Sequence, residues 1–72
     1  MMNDEMKYII ARIIENAKDA LNEHKQNKDD LFADGKSLAY YEVLDIIKGE
    51  LETHDQDLKE FGLDVDLEKE FL

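Results

Sequence analysis

Two histidines and a handful of spaced carboxylates are the side chains of this 72-residue sequence whose types could do chemistry. His24 and His54 each fall within an apolar stripe at helical spacing. A transition-metal site would need them level with each other, with carboxylates beside them. A bend near residues 32–36 would fold the stripes antiparallel, so that His24 faces Tyr40 to Ile47 and His54 faces Ile10 to Ala17. At 1.5 Å per residue the two rings then lie roughly 10–20 Å apart along the axis. Di-iron bundle sites place Glu three residues before His, but Leu21 and Leu51 hold those places. The histidines read as core or seam residues, and no metal or other cofactor is expected.

The carboxylates pose a second question. Glu42-x-x-Asp45, with Glu15, Asp19 and Glu23 at four-residue steps, could set acids on neighbouring helix faces. All-helical nucleotide pyrophosphatases of the MazG type hold magnesium with such groups, and magnesium requires oxygen ligands at fixed positions. Their paired-acid cluster on the first metal-binding helix is absent here. Glu42 and Asp45 also fall off the Tyr40–Leu44–Ile47 stripe, where inward-facing ligands would sit, so they read as a solvated face. No Ser/His/Asp or Cys/His arrangement, glycine-rich phosphate loop or basic aromatic patch occurs. A non-enzymatic protein is the leading expectation, and a magnesium-dependent nucleotide enzyme is the alternative.

Composition narrows the remaining classes. Cysteine and proline are absent and glycine occurs three times, so the fold has no disulfide or thiolate staple. One small domain of this size has on the order of 3–5 kcal/mol of stability, and self-association is the usual supplement. The net charge of −10 excludes direct phosphate-backbone binding, which needs a basic surface. Residues 1–49 carry ten acids and seven bases; residues 50–72 carry nine acids and two bases. Glu50, Glu52, Asp55, Asp57, Asp64 and Asp66 are therefore the candidate residues for meeting a basic protein partner, by charge steering or as a DNA mimic. Their crowding at a helix C-terminus is unfavourable by about 0.3–1 kcal/mol per acid near the last turn. The opening MMNDEM lacks the basic start and cleavage site of a secretory signal. The run IIARII is too short and too polar to span a bilayer. A cytoplasmic protein without membrane contact is expected.

The elements that must position these groups are helices. The first starts at Asn3 or Asp4, with Asn3, Asp4 and Glu5 supplying cap and favourable charge. Its apolar residues, Met6 through Leu21, cover roughly 140° of arc, wider than a two-helix seam needs. It ends near Asn27 or Lys28, or runs on to Ala33. In the shorter version Leu31 and Phe32 tuck over the end of the core and Asp34-Gly35 makes a turn. The second helix starts between Gly35 and Ser37 and follows Tyr40, Leu44, Ile47, Leu51, His54, Leu58 and Phe61 to a left-handed cap at Gly62. Asp64 or Asp66 caps a short third helix, with Val65, Leu67 and Phe71 as a lid. The expected fold is all-α, one domain over 1–72: an antiparallel two-helix hairpin plus a short C-terminal helix. Because the hairpin cannot cover both apolar arcs, it is expected to dimerise into a four-helix bundle. The candidate seam is Ile10, Ile13, Ala17, Ala20, Tyr40, Leu44, Ile47 and Leu51.

The segments GKSLAYYEVLDIIKGEL and FGLDVDLEKEF, about half the chain, resemble short all-helical cytosolic proteins of Gram-positive bacteria to which no activity is assigned. The resemblance implies a small cytosolic helical protein and brings no function with it. Short helical-hairpin sporulation phosphatases are similar in size. Their Ser-Gln-x-Leu-Asp motif is missing, with Val43-Leu44-Asp45 the nearest approach, and their activity is not carried over.

Overall fold

Asp30 decides where the hairpin turns. Its side chain accepts hydrogen bonds from the backbone N–H of Phe32 and Ala33, at 3.0 and 3.3 Å, satisfying two of the orphan donors at a helix start. In the computed structural model, which describes residues 4–72, helix α1 runs Asp4–Gln26 and α2 runs Leu31–Thr53. The candidate cap Asn3 lies outside the described residues. Only Asn27 to Asp30 separate the two helices, and Asn27 folds back to the Glu23 carbonyl through both its backbone and its side chain. A connection this short forces antiparallel packing.

The early cap corrects three expectations. Helix α2 starts four to six residues sooner than the window Gly35 to Ser37, and Asp34-Gly35 is helical rather than a turn. Leu31 and Phe32 do not tuck over the core; they are 85% and 73% exposed. The cap explains all three, because Asp30 commits its neighbours to the first helical turn and Asp34 adds a favourable charge there.

Between the helices, α2 presents Ala33, Ser37, Tyr40, Leu44, Ile47 and Leu51 at the alternating spacing of a packed stripe. Ile10, Ala17, Ala20 and Leu21 of α1 are buried, as are Ala33, Ser37, Leu44 and Leu51 of α2. The small residues Ala17, Ala20, Ala33 and Ser37 fall toward the bend. With Leu21 beside them, they give way further from the bend to Ile10, Leu44 and Leu51.

Helix α2 does not reach Phe61. It stops at Thr53, and Asp55 takes a left-handed φ of 56°. Gln56 N–H then donates to the Leu51 carbonyl at 2.9 Å and Asp55 N–H to that of Glu52 at 3.1 Å, the Schellman pattern. Helix α2 is 23 residues long and does not continue past this turn. Instead a 3-10 turn, Leu58–Phe61, folds back with Asp57 as its cap. Gly62 ends that turn at φ 73°, and Leu63 N–H bonds to the Leu58 carbonyl at 3.0 Å. The left-handed glycine thus has the expected conformation but closes a different element. Asp66, not Asp64, caps the short helix α3, Leu67–Phe71.

This C-terminal segment is part of the core. Phe61, Leu63, Leu67 and Phe71 are buried, with Val65 packed beside them. Two lysines tie the segment to the hairpin. Lys7 lies 3.8 Å from Glu60 and 5.9 Å from the Phe61 ring centroid, while the Lys48 ammonium donates to the Val65 carbonyl.

Two backbone positions are not at their optimum. Gly49 sits inside α2, and a Cβ there meets nothing within 4 Å, so Gly49→Ala is expected to add roughly 0.5–1 kcal/mol. Asp55→Gly is expected to add a similar amount, about 1 kcal/mol, because glycine carries no Cβ penalty at positive φ. It also removes a negative charge at the negative end of α2. Urea unfolding measures both; an unchanged midpoint for Asp55→Gly would contradict the left-handed turn.

Candidate functional site

The C-terminal segment covers one broad side of the hairpin and leaves the other open. The covered side brings Ile14, Lys18 and Leu44 against Leu63, Leu67 and Phe71. On the open side, Met6, Ile9 and Ile13 of α1 face Ile46, Ile47 and Leu51 of α2 across a groove of about 580 Å³. Glu50, His54 and Gln56 close one end of it. Ile9 and Ile46 are 51% and 66% exposed, and Met6 and Val43 are also exposed. Single exposed apolar residues are ordinary, but a contiguous set around a groove marks a binding surface.

The helical repeat of α2 accounts for the pairing of a closed stripe with an open one. One residue out of step with the buried stripe runs a second, Phe32, Lys36, Ala39, Val43, Ile46 and Glu50, at the same alternating spacing. The two stripes lie about 100° apart on the helix. The first meets α1; the second is exposed except at Lys36, which is half-buried, 3.7 Å from Glu23 of α1 and 5.8 Å from the Phe32 ring centroid.

Of the candidate seam residues, Ile10, Ala17, Ala20, Leu44 and Leu51 are buried within the single chain, and Tyr40 packs against the same core. Only Ile13, Ile47 and the edges of Ile10 and Leu51 border the open groove. Met6, Ile9, Val43 and Ile46 carry the exposed apolar surface instead. Met6 and Ile9 were legible only as part of a wide arc, because nothing in the sequence says which edge the C-terminal segment covers.

The candidate acids are all exposed, and several have local structural jobs. Asp57 and Asp66 accept backbone hydrogen bonds from Lys59 and Lys69 at 3.0 and 3.2 Å, and Asp55 forms the left-handed turn. Glu50 lies 3.7 Å from His54 across one helical turn. Glu52 and Asp66 border a shallow polar depression of about 330 Å³ with Asp45, Glu68 and Lys48. The negative field there reaches Tyr41. Its hydroxyl pKa is pushed above the ordinary tyrosine value first by desolvation, then by Glu68, Asp45, Asp66 and Glu42.

The histidines lie further apart than the sequence implied. His24 is half-buried, with Nε2 3.7 Å from Asp34. His54 caps the far end of α2 and is exposed rather than seated in an apolar stripe. The twenty residues from Asp34 to His54 span about 30 Å of helix. The earlier bend, at 27–30, produces this difference. Among the described residues, no group of three or more His, Asp or Glu side chains is placed to hold a metal ion. Glu42 and Asp45 are exposed, as are Glu15, Asp19 and Glu23. No described helix is long and apolar enough to cross a membrane.

Comparison with known protein families, with curated proteins and with solved structures yields no match.

Proposed function

We propose that this protein is a small non-catalytic interaction module that works as a homodimer through its open face and presents its acidic end to a basic protein. The open apolar groove and the Val43–Ile46 stripe beside it carry this reading. A chain of 72 residues without staples has only on the order of 3–5 kcal/mol of its own stability, and a second copy on that face would add to it by mass action. Joining two hairpins in this way makes a four-helix bundle. Cytoplasmic location is part of the same proposal.

The acidic end supplies the second half of the proposal. Helix α2 has no lysine or arginine in its last turn, so Glu52 faces the negative helix end uncompensated. A basic partner surface would relieve that repulsion and speed encounter. The triple variant Glu52→Gln, Asp55→Asn, Asp64→Asn leaves the Asp57 and Asp66 caps in place. It is expected to melt higher and to capture basic proteins from a lysate about tenfold less well at low salt. Undiminished capture at every salt concentration would reduce these acids to a solvated face.

A further inference from the structure

The open face also carries the geometry of its own partner. Resting on the homodimer reading above, the geometry points to an antiparallel seat in which α2 crosses α2 of the second copy at Val43. Val43 lies at the middle of the exposed stripe, seven residues from Lys36 on one side and seven from Glu50 on the other. A twofold axis at Val43 therefore sets Lys36 of each copy, half-buried, beside the exposed Glu50 of the other. The same axis accounts for Phe32. Eleven residues before Val43, it stands 73% exposed on that stripe. Eleven residues after Val43 is His54, at the closed end of the groove lined by Met6, Ile9 and Ile46. The exposed ring of one copy thus enters the groove of the other, twice per dimer, as an isologous interface requires. A buried aromatic anchor filling a pocket of the partner is the kind of contact that carries a large share of binding energy.

Phe32 is solvent-facing in the single chain, so Phe32→Ala should leave the helical circular dichroism intact. Association measured by sedimentation equilibrium is expected to weaken by roughly a hundredfold, since symmetry removes two anchors at once. Lys36→Glu and Glu50→Lys should each weaken it about tenfold at low salt, and the double variant should restore it. Lys36 also lies 3.7 Å from Glu23 and Glu50 lies 3.7 Å from His54 within the chain. Losing those contacts is not repaired by the double exchange, so restoration reports the contact between copies. If Phe32→Ala or the single exchanges leave association unchanged, or the double variant is no tighter than the singles, this register is overturned. Dissociation by Ile46→Asp would then show that the second copy still uses the open face. A wild-type chain that stays monomeric removes the homodimer reading itself and leaves the face to a different protein.

Discussion

Leu63→Ala is expected to remove most of the stability of the single chain, about 2–5 kcal/mol at 25 °C. Leu63 is 1% exposed and lies between the 3-10 turn and α3, against the covered side of the hairpin. Truncating a buried leucine costs about 2–5 kcal/mol from lost transfer energy and the cavity left behind. A single chain of this size has on the order of 3–5 kcal/mol in total. Urea unfolding followed by circular dichroism measures the loss. A cost below about 1 kcal/mol would mean that the C-terminal segment only rests on the hairpin. The structure instead makes it one side of the core, with Phe61, Leu67 and Phe71 buried in the same cluster.

The hairpin itself was legible because helix periodicity is a repeated signal. Tyr40, Leu44, Ile47 and Leu51 read correctly as the inward stripe, and of the two ends open for α1 the shorter, Asn27 or Lys28, lies within a residue or two of Gln26. Both misread boundaries of α2 turn on single aspartates. Asp30 competes with Asp34-Gly35 for the start, and a capping side chain prevails over a glycine that helical backbone tolerates. At the other end, His54, Leu58 and Phe61 continue the stripe in register, so periodicity alone extends the helix. The real stop is made at Asp55, which takes the left-handed conformation that a glycine would have announced and turns the chain back onto the hairpin. The open face was half legible for a related reason. An apolar surplus can be counted from sequence, but the side on which Leu63, Leu67 and Phe71 land depends on that same turn.

Ile46→Asp is the second large effect expected. Ile46 is mostly exposed in the single chain, so the change removes no intrachain core contact of consequence, and helicity should be retained. In a dimer it would place an unpaired carboxylate at each symmetry-related half of an apolar seam, a cost of several kcal/mol per charge. Association should fall by more than a thousandfold, since every ~1.4 kcal/mol is tenfold. Raised solubility without any change in mass would point to an ordinary exposed isoleucine.

Sedimentation equilibrium of the wild-type chain at micromolar to tens of micromolar concentration tests the central claim most directly. A folded helical species of twice the 8.4 kDa chain mass is expected, reduced to a single folded chain by Ile46→Asp. A folded wild-type monomer across that range would contradict it, and so would a dimer that Ile46→Asp leaves intact.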